Sequence, residues 1–127
     1  MAWPGFLFFG VRLLTLESEL SQFCGSCQFY QHTRQLRYTE GVKYLAERAG
    51  AFWLIDLIAS YQGYSQVQAE SFQLWNLQVA DASAMATMRR DTGCDPIISQ
   101  RIEFTDFPMS SIKLYVCDGT LMLPGEY

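Results

Sequence analysis

Two cysteines close together, Cys24-Gly25-Ser26-Cys27, give the chain the C-x-x-C spacing that redox dithiols and zinc sites use. A dithiol of the thioredoxin kind follows a strand and opens a helix within a βαβ unit. Here the pair follows a predicted helix and precedes a predicted strand, which is the wrong context. A four-thiolate zinc site takes two close pairs, whereas Cys94 and Cys117 lie far apart in the chain. Cys24 and Cys27 are the candidate thiol or metal residues. The spacing is nonetheless read as small turn or core positions, and neither a metal nor a cofactor is expected.

Acid–base chemistry would have to pass through His32, the single histidine. Asp106 in the Thr105-Asp106-Phe107-Pro108 turn and Asp118 in the Asp118-Gly119 turn are the carboxylates that a fold could bring to it. Tyr38 is a further proton donor. These residues form the candidate catalytic set of a small enzyme with a loop-assembled site. No nucleophile pattern accompanies them, and a lone histidine beside tyrosine on a strand is more often a hydrogen-bonded structural residue. An enzyme is therefore the alternative reading, not the leading one. Asp56 stands inside an apolar run, and burying it unpaired would be costly, so it is placed on a solvated seam with Trp53 and Ser60. The loop Asp91-Thr92-Gly93-Cys94-Asp95-Pro96 lacks the spaced carboxylates of a calcium loop.

The elements that must position these groups are organised around residues 38–61. Thr39 is the expected N-cap of a first helix, with Glu40 in the turn where a negative charge suits the dipole. Val42, Leu45, Ala46 and Ala49 make its apolar stripe, Lys43 and Glu47 pair one turn apart, and Gly50 ends it. The next run, Ala51 to Tyr61, is apolar almost all round and predicts a second helix covered on several sides.

Around these two helices, Thr15 to Phe23 reads as a short helix and Gln28 to Thr33 as a strand, with Phe29 on one face and Tyr30 and His32 on the other. Phe72 to Ala80 reads as a strand whose phase changes at Trp75, so that either both faces are covered or a bulge resets the register. Further strands are expected from Ala84 to Arg90, over Ile97 to Phe104, and over Ser111 to Cys117. Asp118-Gly119 then turns into a last strand. The class is α+β: an antiparallel sheet of about five or six strands, one face covered by the two consecutive helices. Residues 16–127 are expected to form a single domain. Residues 1–15 are expected to be an apolar N-terminal extension, too short and too interrupted by Arg12 to span a bilayer and without a signal-peptide pattern.

The chain has 127 residues, 50% of them hydrophobic, which is enough for one core and excludes a disordered linker. Its net charge of −4 lacks the basic footprint of a phosphate binder, so nucleic acid is not an expected partner. With no transmembrane segment or signal pattern, the expected location is the cytoplasm, with reduced thiols. Aromatic residues exceed what one core needs. Tyr30, Tyr64, Tyr115 and Trp53 are the candidate contact residues of a non-enzymatic module that binds another protein or a second copy of itself.

The segments YTEGVKYLAE, WLIDLIASYQ, FTDFP and LYVCDGTLMLPGEY together resemble a family of short bacterial proteins of unknown function, found in cyanobacterial and mobile-element gene sets. The resemblance runs from about Leu16 to the C-terminus. It implies no established activity and assigns no role to any residue, and relatives lacking the C-x-x-C pair would make Cys24 and Cys27 incidental.

Overall fold

The computed structural model describes residues 16–23 and 28–127. Its helices end where the side chains dictate. Residues 16–20 are helical (α1), with Leu16 and Leu20 turned into the core. Before α2 (Glu40–Ala49), Thr39 is extended at φ −83° and ψ 171°, and its Oγ1 accepts the N–H of Val42 at 3.3 Å. At the other end Gly50 adopts φ 63° and donates its N–H to the Ala46 carbonyl. Lys43 and Glu47 pair at 2.8 Å. The chain turns at once into α3 (Phe52–Tyr61), which buries Leu54, Ile55 and Ile58, and then into the single turn α4 (Ser65–Gln68), which buries Val67.

Among the described residues seven strands follow the order β1-β2-β7-β6-β3-β4-β5, an open sheet that is antiparallel apart from one pairing. They are β1 (Phe29–Gln31), β2 (Arg37–Thr39), β3 (Phe72–Ala80), β4 (Ser83–Arg89), β5 (Ile98–Ile102), β6 (Ser111–Cys117) and β7 (Thr120–Met122), and a 3-10 turn, Pro124–Glu126, closes the chain. The expected α+β class stands. The expected strand count of five or six is corrected to seven, and the strand that spacing does not reveal is β2. Three residues directly before a helix cap are too short to show a period of two. They become a strand through their neighbours: Arg37, Tyr38 and Thr39 pair antiparallel with Gln31, Tyr30 and Phe29 of β1, and Arg37 and Tyr38 lie beside Thr120 and Leu121 in a parallel pairing.

The other hairpins are legible in the turns. Asp81 and Ala82 have φ 53° and 66°, and Asp118 and Gly119 have φ 49° and 81°, the left-handed pair that matches the twist of two antiparallel strands. Strand β3 pairs without interruption with β4 and β6, so its phase change is no bulge: both faces are in use. Trp75 and Leu77 face the helices, together with Ala84, Ala86 and Met88 of β4 and Ile112, Leu114 and Val116 of β6. Into this core a polar knot is set. Gln62 and Gln73 exchange two amide hydrogen bonds of 3.0 Å, and the indole N–H of Trp75 donates to Gln73 Oε1 at 2.9 Å. All three side chains are buried, and each carries a partner, which removes the penalty of leaving a polar group dry.

Candidate binding face

The face of the sheet turned away from α2 and α3 has no described helix packed on it, and the strand register lays out its side chains in cross-strand rows. Arg37, Thr120, Cys117 and Phe72 lie across β2, β7, β6 and β3. The next row holds Met122, Tyr115, Leu74 and Arg89. Then come Lys113, Asn76, Thr87 and Ser99, and after them Ser111, Gln78, Met85 and Arg101. Each row carries one cation, and no aspartate or glutamate stands at any of these positions. In a chain of net charge −4 this is a marked segregation.

Several of these groups are held in place. The Arg37 guanidinium lies 4.7 Å over the ring of Phe29 and donates through Nε to Thr120 Oγ1 at 2.7 Å. Arg89 donates to the Cys94 carbonyl at 3.0 Å and to Thr87 Oγ1 at 2.8 Å. Phe72, Tyr115 and Tyr127 meet edge to face at 5.0, 5.3 and 5.5 Å, forming an aromatic cluster around the buried Leu74. An open groove of about 500 Å³ runs along one corner of the sheet, with Gln78, Met85, Arg101 and Ser111 among its lining residues.

The candidate catalytic residues lie elsewhere. His32, just past β1, faces the helix side, and its Nε2 meets Asp56 Oδ1 on α3 at 2.7 Å. Its ring stands edge-on to Tyr38 at 6.0 Å, Tyr38 stacks on Tyr30 at 5.6 Å, and the Lys43 ammonium lies 5.4 Å from the Tyr30 ring. Asp56 therefore lies on the exposed seam of its helix as expected, but that seam is where the imidazole arrives. Neither Asp106 nor Asp118 forms an ion pair with His32. Asp106 is exposed in the loop after β5, and Asp118 sits on the β6–β7 turn. The side chain of Asp56 is 69% exposed, so the pair is screened by water and orients the imidazole more than it stabilises the fold. Such a pair can move a proton to solvent. Among the described residues no hydroxyl or thiol is hydrogen-bonded to the imidazole to act as a nucleophile.

Cys24 and Cys27 lie outside the described residues. Cys94 is an exposed free thiol and Cys117 a half-buried one. Among the described residues no group of three or more His, Cys, Asp or Glu is placed to hold a metal ion. Of the candidate contact residues, Tyr115 belongs to the uncovered face, and Tyr30 belongs to the His32 cluster. Tyr64 is half exposed beside Tyr61, and Trp53 is spent on an edge contact with Phe107. The cations of the face, with Phe72 and Tyr127, escaped sequence reasoning. The signal that pointed to them was the second phase of β3, where Phe72 and Leu74 alternate against Trp75 and Leu77.

No described helix is long and apolar enough to cross a membrane. Comparison with curated proteins and with solved structures gives no match. A family model does match, described as a family of unknown function (DUF6876), and it covers residues 14–127. A match over that much of the chain, taking in every described strand and the C-terminal turn, decides the matter: the chain belongs to the DUF6876 family.

Proposed function

We propose that this chain is a small non-enzymatic interaction module of the cytosol, and that its partner is a protein presenting an acidic surface to the uncovered face of the sheet. The observation that carries this reading is the segregation of Arg37, Arg89, Lys113 and Arg101, one in each cross-strand row and without a carboxylate among them. Such a face draws an anionic partner by its field and rejects a basic one. The Phe72–Tyr115–Tyr127 cluster supplies the aromatic anchor, and aromatic, Met and Arg side chains are what protein interfaces concentrate. The net charge of −4 works against a nucleic-acid strand as that partner.

The test is capture from native lysate with the full chain and with Arg101→Glu plus Lys113→Glu, after nuclease treatment and over a range of salt. A partner held by the parent chain, lost from the charge-reversed variant and released as salt rises supports the reading. Lys43→Glu, on the helix side, should leave that capture intact. Capture that ignores the charge reversal, or that disappears with nuclease, would overturn it.

A further inference from the structure

We infer that β5 is a self-pairing edge: it joins β5 of a second copy of this chain in antiparallel register, about a two-fold axis centred on Gln100. The two edges of the sheet are β1 and β5. Strand β1 has three residues. Strand β5 has five, contains no proline, and carries one charge, so it lacks most of the devices that keep an edge from pairing. Two residues past its end Phe104 is 77% exposed, and Met85, opposite Arg101 on the neighbouring strand, is 40% exposed. Among the described residues this is an unpaired ladder with apolar surface beside it.

The sequence of the edge fits itself in one register. With Gln100 on the axis, Ile98 faces the second copy's Ile102 on the helix side, and Ser99 faces its Arg101 on the other. Pro96 then receives the second copy's Phe104, which removes from water the large apolar side chain most exposed among the described residues. Gln100 accepts a hydrogen bond from the Tyr61 hydroxyl, and its amide N–H₂ has no partner among the described residues. On the axis the two amides meet and can bond to each other. Sliding the register by two residues sets Arg101 against Arg101 in one direction and Asp95 against Glu103 in the other, and both juxtapositions are unfavourable. A slip by one residue sets residues of the helix side opposite residues of the other face. Of the registers that keep the helices of both copies on the same side, the centred one alone avoids these like-charge juxtapositions.

Sedimentation velocity on the full chain, from low micromolar to several hundred micromolar, should show a reversible monomer–dimer equilibrium. Phe104→Ser, at an exposed site, should weaken it about tenfold or more. The register is read by cross-linking in a background with Cys24, Cys27, Cys94 and Cys117 changed to serine. An equimolar mixture of Ser99→Cys and Arg101→Cys chains should form a disulfide heterodimer that neither chain forms alone, because directly opposed residues lie within disulfide reach. Gln100→Cys should cross-link to itself, and the mixture keeps the test decisive if that variant folds poorly. A chain that stays monomeric at every concentration, a dimer unmoved by Phe104→Ser, or a mixture that fails to cross-link would overturn the inference.

Discussion

The Glu126 carboxylate accepts the Thr39 hydroxyl proton at 2.6 Å, joining the penultimate residue of the chain to the cap of its first long helix, α2. Glu126 also accepts the N–H of Gly41 at 3.2 Å and that of Leu123 at 2.9 Å. It thus places a negative charge on the positive end of the α2 dipole and satisfies an otherwise orphaned helix donor. The following residue, Tyr127, goes to the other side of the sheet, onto Phe72 and Tyr115. Two consecutive side chains clasp both faces.

The clasp predicts a coupled pair of substitutions. A Cβ on Gly41 would lie 2.7 Å from Glu126 Oε2, so Gly41→Ala should displace the carboxylate and destabilise the fold. Glu126→Ala should cost about 1–2 kcal/mol, by loss of the cap partner and of charge-assisted bonds. In the Glu126→Ala background Gly41→Ala should become stabilising by roughly 0.5–1 kcal/mol, since alanine is the better helix former. Urea denaturation of the four proteins measures the coupling, and strict additivity would refute the clasp.

Ala82 holds φ 66° in the β3–β4 turn without the freedom of glycine. That conformation costs an L-residue about 1–2 kcal/mol, against the smaller gain that alanine brings by restricting the unfolded chain. Ala82→Gly should raise stability by about 0.5 kcal/mol, and the β-branched Ala82→Val should lower it by at least about 1 kcal/mol. The midpoints of urea unfolding give the order directly.

Within the core, Gln73 is bonded both to Gln62 and to Trp75, whereas Gln62 is bonded to Gln73 and to the Ile58 carbonyl. Gln73→Leu leaves one amide N–H of Gln62 and the Trp75 indole N–H without acceptors, and Gln62 Oε1 without its donor. It should cost about 2–4 kcal/mol and more than Gln62→Leu. Thermal melts rank the two variants, and the Trp75 fluorescence should shift only in the first.

The Tyr44 phenol donates to Glu19 Oε1 at 2.7 Å, and this bond, with partial burial, holds its pKa above the ordinary value of 10.0 despite the nearby Arg48. A raised folded pKa makes the contribution of this contact fully present below the unfolded value and lost as pH rises through the folded one. Glu19→Gln should bring the Tyr44 titration down, observed by NMR of its ring carbon, and should flatten the fall in stability on the alkaline side. An unchanged titration would mean that Glu19 is not the cause.

Residues next to one another in sequence settled much of this molecule. Thr39 and Gly50 mark the ends of α2, Asp118-Gly119 marks a hairpin, and the alternation of Ile112, Leu114 and Val116 marks a buried strand face. Each is a contest between backbone conformations that a few adjacent side chains decide, so each is readable without the rest of the chain. Tertiary structure alone decided that Arg37 to Thr39 is a strand, that Asp56 rather than Asp106 or Asp118 meets His32, and that Glu126 caps α2. It also decided that four dispersed cations share one face. Those outcomes depend on which strands become neighbours and in what register, and that is fixed by the packing of the whole core, between residues up to 87 positions apart.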